Sequence, residues 1–174
     1  MNADSAALLI AAASMLVAGL SLGWQIAQWL LSAGRPKATL LHGLVDGSDV
    51  YDGPVTKKRA GFNLDQLRRQ GIDGTPVIGV KVVNHGRASV TVDRISVHHH
   101  GGGMAYTPVG QLIGPELPYR LEAGTNASWY VPEEIAHRLA HASREALGET
   151  ITGVYLTASL ATGKSIETRH RFAV

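Results

Sequence analysis

The pattern of hydrophobic and polar positions divides the chain into two parts. From Ala6 to Leu31 the residues are apolar apart from two serines and two glutamines, and no charged residue lies between Asp4 and Arg35. A helix of this length reaches about 39 Å, more than the hydrocarbon core of a bilayer, which is about 30 Å thick. Beyond this segment the hydrophobic period changes to two, as in β-strands. The pattern predicts a short polar N-terminus over 1–5, a transmembrane helix over 6–33 and a β domain over 34–174.

A retained anchor explains the apolar segment better than a cleaved signal peptide does. The residues before it, Met1–Asp4, lack the basic charge of a signal sequence, and the apolar run is longer than such a signal needs. Trp24 and Trp29 lie toward its end, where indole rings favour the membrane interface, and Arg35 and Lys37 then close it. We therefore expect these four side chains to mark the interface and the lipid bilayer to be a partner of the chain.

The distribution of positive charge indicates how the span is oriented. Basic side chains follow its C-terminal end, whereas the N-terminal side carries only the α-amino group. Cytoplasmic flanks of membrane spans are enriched in lysine and arginine. The sequence thus predicts a single-pass protein of the cell (inner) membrane, with its N-terminus outside and its C-terminal domain in the cytoplasm.

One face of the predicted span is small and polar at a spacing that alternates between four and three residues. Such faces allow helices to approach closely and to form interhelical hydrogen bonds in lipid. This favours association with another transmembrane helix, from a second copy or from a different membrane protein. An alanine-rich helix also yields such a stripe by chance, and Gly19 and Gly23 offer a competing contact face. The predicted association face consists of Ala7, Ala11, Ser14, Ala18, Ser21, Gln25, Gln28 and Ser32.

The remaining chain carries short alternating segments separated by turn residues. Hairpins are expected around His85-Gly86-Arg87, around Glu122–Thr125 and around Ala161–Gly163. Pro132, followed by two glutamates, opens one convincing helix, which is expected to run from about 132 to 147. About seven short strands favour an antiparallel immunoglobulin-like β-sandwich carrying this amphipathic helix. The predicted fold class is therefore mainly β, with one N-terminal transmembrane helix.

Two segments of the domain add a resemblance to this pattern. They are Val83-Asn84-His85-Gly86-Arg87 and the stretch Gly124–Pro132, which follow a short non-basic N-terminus and one span with a basic stop. Together they resemble small bacterial and phage-encoded single-span proteins with an immunoglobulin-like sandwich. The resemblance covers most of the chain, but its motifs are structural turns and strands. It implies an anchored interaction domain, and it transfers no catalytic residue because the group has no assigned chemistry.

Composition and motifs argue against several classes of function. The chain has no cysteine, which excludes disulfides, thiolate metal sites and a cysteine nucleophile. A net charge of +2 is too weak to indicate a nucleic-acid partner. No G-x-x-x-x-G-K-[ST] loop and no G-x-G-x-x-G motif is present. The expectation is a protein that is not an enzyme and that carries no cofactor.

Histidines provide the main candidate chemistry. His98 and His100 would share one face of a strand, and His85 across the predicted hairpin would complete a Zn²⁺ or Cu²⁺ site. The alternative is a polar strand end that runs into a glycine loop. His137 and His141 have the helical spacing of a metalloprotease pair, but Arg138 occupies the position of the general-base glutamate. The polar face of a helix explains that pair better.

Two charged loops carry weaker candidates. Asp46, Asp49 and Asp52 offer oxygen ligands for Ca²⁺, but their spacing is not that of an EF-hand and turn chemistry explains them as well. A basic cluster would contact anionic lipid if it lay close to the membrane, or it would form a solvated loop. This cluster consists of Lys57, Lys58 and Arg59.

Three functional hypotheses follow from these features. The first is a non-catalytic, membrane-anchored interaction module that acts as an accessory or scaffold subunit of a membrane complex. The second is a histidine-based metal-binding or sensing domain at the cell envelope. An alternative to the first is a phage-type factor that acts on the host envelope, and the third hypothesis is an enzyme without a recognised motif.

Overall fold

The computed structural model describes residues 3–110 and 112–174, with the side chains at 3, 5, 6 and 29–31 outside the description. Its elements in chain order are α1 (Ala3–Ser32), β1 (Pro36–Asp46), β2 (Asp49–Pro54), α2 (Leu64–Arg69), β3 (Thr75–Asn84), β4 (Val90–His100), β5 (Ala105–Tyr106), β6 (Tyr119–Leu121), β7 (Asn126–Pro132), α3 (Glu133–Leu147), β8 (Gly153–Leu160) and β9 (Ser165–Glu167). The expectation of a mainly β chain with one apolar helix at its N-terminus is confirmed.

Helix α1 is long and apolar enough to cross a membrane. The stretch that meets these requirements is Ala7–Gln28, which has 22 residues, none of them buried in the domain. A 22-residue helix extends about 33 Å, close to the thickness of a hydrocarbon core. Met1 and Asn2, the start of the predicted polar N-terminus, lie outside the described residues.

The strands form two antiparallel sheets. The first has the order β2-β1-β3-β7, and the second has the order β5-β4-β8-β9, with β6 also paired to β4. Side chains from both sheets meet in one hydrophobic cluster, in which Leu40, Val80 and Trp129 come from the first sheet. Val97 and Leu156 come from the second. Alternation along each strand places these residues on the face that is turned away from water.

Two of the three predicted hairpins are wrong. Strands β3 and β4 flank His85-Gly86-Arg87 but lie in different sheets, where β3 pairs with β1 and β7 while β4 pairs with β5, β6 and β8. The turn at Glu122–Thr125 likewise connects β6 of the second sheet to β7 of the first. The third hairpin is present, since β8 pairs with β9 across Ala161–Gly163.

Helix α3 follows β7 without a loop. It begins at Glu133 after Pro132 and ends at Gly148, whose left-handed backbone lets its N–H bond back to the carbonyl of Arg144. Small residues on one face, Ala136, Ala140 and Ser143, are buried against the domain. The helix therefore lies close to the sheets and brings Ser143 into the interior.

The strand directions define two ends of the domain. At the helix-proximal end, where α1 leaves the domain, β1 begins, β3 ends at Asn84 and β4 begins at Val90. At the helix-distal end lie the β1–β2 turn, His100 at the end of β4 and Gly153 at the start of β8. Eleven residues of strand β4 separate the two ends by roughly 33 Å.

Candidate functional site

The apolar side chains of α1 form a surface that the rest of the chain does not cover. Leu8 is 73% exposed, Leu20 is 74% exposed and Trp24 is 66% exposed. Exposed apolar surfaces of this extent mark contact with a membrane or with another protein. The backbone is helical without a break from Ala3 to Ser32, and a helix is one of the structures that satisfy backbone groups in lipid.

The eight residues of the predicted association face lie on α1, and the face stays a prediction. Gln25 and Gln28 are exposed, so their amides are turned away from the domain core. The hydroxyl of Ser14 donates to the carbonyl oxygen of Ile10, 2.8 Å away, one turn earlier. That hydroxyl is therefore satisfied within the helix, which leaves the glutamines as the stronger polar groups of the face.

The junction between α1 and the β domain depends on the buried side chain of Asn84. This side chain is fully buried, and its Oδ1 accepts hydrogen bonds from the backbone N–H groups of Arg35, at 3.1 Å, and Gly86, at 3.0 Å. Its Nδ2 donates to the carbonyl oxygens of Ala88, Leu121 and Glu122. One amide thus joins the helix exit to both strands that end at this point of the domain.

Backbone contacts complete the junction. The N–H of His85 donates to the carbonyl oxygen of Arg35 at 3.1 Å. A Cβ on Gly86 would overlap the carbonyl oxygen of Ala33 and the backbone nitrogen of Arg35, so only glycine fits there. The chain leaving the helix is therefore held directly against the turn between β3 and β4.

A cavity of about 370 Å³ lies beside this junction, lined by Trp24, Ala27, Gln28, Ser32 and Arg87. It brings the end of the apolar helix together with a cationic side chain from the β3–β4 turn. Neither Asn84 nor Arg87 is among the site residues predicted from the sequence. The segment that contains them was noted only as a structural turn, and its polar residues were the signal that could have found them.

The four residues expected at the membrane interface lie toward this junction. Trp24 lines the cavity, and Arg35 and Lys37 are exposed, the latter on β1 opposite Val83. The side chain of Trp29 lies outside the described part of the structure.

The three candidate histidines of a metal site do not come together. His85 lies at the helix-proximal end and His98 and His100 at the helix-distal end, because β3 and β4 do not form a hairpin. His98 stacks on Tyr155, and burial lowers its pKa, while His100 forms a hydrogen bond to the Thr152 hydroxyl. Within residues 3–110 and 112–174, no group of three metal-ligating side chains comes together.

The neighbouring His99 contacts a serine in the interior. Its Nε2 lies 2.6 Å from the hydroxyl oxygen of Ser143 on α3. Its Nδ1 and the Oε2 atom of Glu149 are both buried without a hydrogen-bond partner among the described residues, and both lie next to Gly102. The set has the composition of a serine–histidine–acid triad, but Ser143 is fully buried and closed to a substrate.

A second histidine cluster links β1 to α3. The Nδ1 of buried His42 accepts from the backbone N–H of Phe62 at 2.8 Å, so its Nε2 carries the proton and donates to Glu133, 3.1 Å away. Glu133 also bonds to His137 one turn later. These bonds, with His42 the larger contributor, hold the pKa of Glu133 below its usual value. His137 is therefore the outermost member of a structural cluster. Its exposed position agrees with its predicted role on the polar face of a helix.

The two charged loops are explained by their local contacts. Asp46 and Asp49 face each other across the β1–β2 turn, and Asp52 accepts a hydrogen bond from the Tyr130 hydroxyl at 2.5 Å. Arg59 donates to the carbonyl oxygen of Thr152, which lies next to His100 at the helix-distal end. This bond holds the turn on the side away from the helix exit, which favours the alternative of a solvated loop, and the lipid contact of Lys57, Lys58 and Arg59 stays a prediction.

One sequence motif of serine hydrolases lies within helix α1, where its serine cannot form a nucleophile elbow. Gly19-Leu20-Ser21-Leu22-Gly23 has the G-x-S-x-G spacing of a nucleophile elbow. That elbow needs a strand, a sharp turn and a helix, whereas these five residues lie within the continuous helix α1. The motif is therefore part of the apolar span.

Comparison with known proteins adds no further assignment. No protein-family model matches the chain, and no curated protein shows significant similarity to it.

Proposed function

We propose that the protein is a non-catalytic, single-pass membrane-anchored interaction module, an accessory or scaffold subunit of a membrane complex. The observation that carries this proposal is the exposed apolar helix α1, attached to a β domain through the buried side chain of Asn84. A helix with this much apolar surface needs lipid or other helices around it. The fixed junction gives the domain a defined position at the membrane surface, which a scaffold requires.

The domain fits an immunoglobulin-like sandwich. Support comes from two antiparallel sheets that share one hydrophobic cluster, with strands that switch sheets between β3 and β4 and between β6 and β7. Connections of this kind are common in sandwiches. Helix α3 is the amphipathic helix of this fold, with Ala136 and Ala140 on its buried face and Arg138 on its exposed face. Many cell-surface domains share this architecture, and fold alone implies no chemistry.

Partner binding within the membrane is assigned to the small, polar face of α1. Gln25, inside the core-spanning stretch, is costly against acyl chains and becomes favourable when it forms a hydrogen bond to another helix, and Gln28 at the boundary of the core extends the same face. The partner is a second copy of α1 or a helix of a different membrane protein. The cytoplasmic domain then positions a soluble partner beside that complex.

Two measurements made one after the other test this proposal: resistance to extraction from the membrane, and association in mild detergent. The full chain should stay in the membrane pellet after an alkaline wash and should be recovered in mild detergent as an oligomer or a complex. Gln25→Leu with Gln28→Leu should weaken that association by about threefold to tenfold, because two interhelical hydrogen bonds are lost. The control is Gln66→Leu with Gln70→Leu, the same change at two exposed positions of the domain. A chain that washes off the membrane, or a monomer that purifies alone, contradicts the proposal.

A further inference from the structure

Basic side chains are concentrated at the end of the domain where α1 leaves it. The four segments that meet there, 33–37, 84–90, 119–126 and 160–165, contain five basic residues and one acidic residue. The whole chain, by contrast, has 16 basic and 14 acidic residues. The acidic residue, Glu122, is already paired with Arg120 at 2.8 Å. We call this set the helix-proximal basic surface, and its basic members are Arg35, Lys37, Arg87, Arg120 and Lys164.

The cavity beside α1 lies at the depth of lipid headgroups. About 20 helical residues cross a hydrocarbon core, so a span that begins at Ala7 leaves the core near Ile26. The next 5 to 7 Å or so belong to the headgroup layer, which contains Gln28, while Ser32, about 9 Å beyond Ile26, lies at its water-facing edge. Both residues line the cavity together with Arg87.

Arg87 is the cation best placed to act in that cavity. Its side chain is exposed, and across residues 3–110 and 112–174 no carboxylate forms an ion pair with it. Its position is fixed because the turn that carries it is held by Asn84 and by the close contact at Gly86. A guanidinium group binds phosphate oxygens through two parallel hydrogen bonds.

We propose that this cavity binds the phosphate headgroup of an anionic phospholipid. Arg87 contacts the phosphate, Gln28 and Ser32 supply the neutral polar wall, and Trp24 packs against the glycerol and upper acyl region. The remaining members of the helix-proximal basic surface add attraction to an anionic leaflet. The occupant is a lipid because the cavity adjoins the span itself, where headgroups are the neighbouring molecules. The inference rests on the proposed function, since it needs α1 to lie in a bilayer.

Native mass spectrometry of the full chain in detergent, with equimolar phosphatidylcholine and phosphatidylglycerol, tests the inference. The unchanged protein should retain phosphatidylglycerol preferentially, and Arg87→Gln should reduce that preference roughly fivefold, the effect expected for one basic residue at a membrane surface. Arg87→Lys should restore most of it. The matched control is Arg69→Gln, an exposed arginine on α2 at the other end of the domain, which should change nothing.

The outcomes separate this inference from the proposed function. Equal retention of both lipids, or equal behaviour of Arg87→Gln and Arg69→Gln, overturns the headgroup site while a membrane-extracted protein keeps the proposed function intact. Loss of the preference on adding glycerol phosphate shows a soluble phosphate site and overturns the lipid assignment. A chain that fails the alkaline-wash assay overturns both.

Discussion

Asn84 shows how a single polar side chain determines the relation between two parts of a molecule. Its amide uses both of its polar atoms, accepting from two backbone N–H groups and donating toward three carbonyl oxygens. A buried polar group left without partners costs about 1–3 kcal/mol. Removing the Asn84 side chain would leave several such groups without a partner at the same time. The same turn also aligns Arg87 with the end of α1, which makes Asn84 a positioning residue for the cavity.

Replacing Asn84 with alanine should destabilise the protein by about 3 kcal/mol or more, because the backbone N–H groups of Arg35 and Gly86 lose their acceptor. Denaturant unfolding of the full chain in detergent measures this change. Asn63→Ala is the control, since Asn63 caps α2 at an exposed position through one hydrogen bond to the N–H of Gln66. That change should cost about 1 kcal/mol. Equal effects of the two substitutions would show that Asn84 does not hold the junction.

A second prediction at this scale concerns the glycine beside His99. A Cβ at Gly102 would lie 2.7 Å from the buried His99 Nδ1 and closer still to a Glu149 oxygen. Gly102→Ala should therefore destabilise the protein by about 1–3 kcal/mol, as overpacking of an interior does. Gly103→Ala is the neighbouring control, because its Cβ would lie 3.5 Å from Glu149 Oε1 in ordinary contact. Thermal unfolding of both variants decides the point, and a neutral Gly102→Ala would mean that His99 and Glu149 move apart freely.

At the scale of elements, the sequence predicted which segments are strands better than which strands pair. The β8–β9 hairpin was predicted, because a tight turn between two alternating segments implies antiparallel pairing. The turns after Asn84 and Leu121 carry the same glycine-containing signal, yet each leads into the other sheet. Local turn chemistry is equal in the two cases. Which strands pair with each other depends on how both sheets pack into one shared core, and a local sequence pattern carries no information about that packing.

The candidate site was predictable only in part for the same reason. The apolar run and its flanking charges are local features, and they identified α1, Trp24, Arg35 and Lys37 from the sequence. The cavity needs Arg87 to lie beside Gln28, and these residues are far apart in the chain. Likewise, the basic turn at 57–59 looked close to the membrane in sequence, but hydrogen bonds carry it to the other end of the domain.

A prediction at the scale of elements concerns the link between the two outer strands of the first sheet. The Tyr130 hydroxyl on β7 donates to Asp52 on β2, and desolvation, followed by this bond, raises the pKa of Tyr130 to about 12. An unfolded tyrosine ionises near pH 10, so the folded state keeps its proton longer. The associated stability is therefore complete below about pH 10 and is lost as the pH rises toward 12.

Tyr130→Phe should accordingly flatten the decline in unfolding free energy above pH 10, in addition to a loss of about 1 kcal/mol at neutral pH. Urea unfolding at a series of alkaline pH values measures both effects. Tyr155→Phe is the control, a tyrosine on β8 that stacks on His98. A variant whose alkaline decline matches that of the unchanged protein would refute the role of the Tyr130–Asp52 bond.

At the scale of the whole molecule, the fold collects basic residues at the end of the domain where α1 leaves it. The helix-proximal basic surface combines residues from four segments that are distant in sequence, and strand pairing places these segments at the end of the domain from which α1 leaves. Positive charge next to a span favours the cytoplasmic side of a membrane. From the sequence, the orientation is predicted by Arg35 and Lys37 at the end of the span and by Lys57, Lys58 and Arg59 further along the chain. The fold adds Arg87, Arg120 and Lys164 to the same side, which increases the attraction to an anionic leaflet. Because these residues are far from the span in sequence, the expectation of a cytoplasmic domain still depends on the residues that follow the span directly.

That orientation predicts a reciprocal labelling pattern, for which the absence of native cysteine provides a clean background. Ser48 is exposed in the β1–β2 turn at the helix-distal end, and Asp4 is exposed in the first turn of α1. With a membrane-impermeant maleimide, Ser48→Cys should react only after lysis, whereas Asp4→Cys should react in intact cells. The opposite pattern would place the domain outside and reverse the assignment. Each variant is the control for the other. Protection of one cysteine counts as evidence of its location only when the other cysteine reacts in the same intact cells, so poor access of the reagent does not produce either pattern.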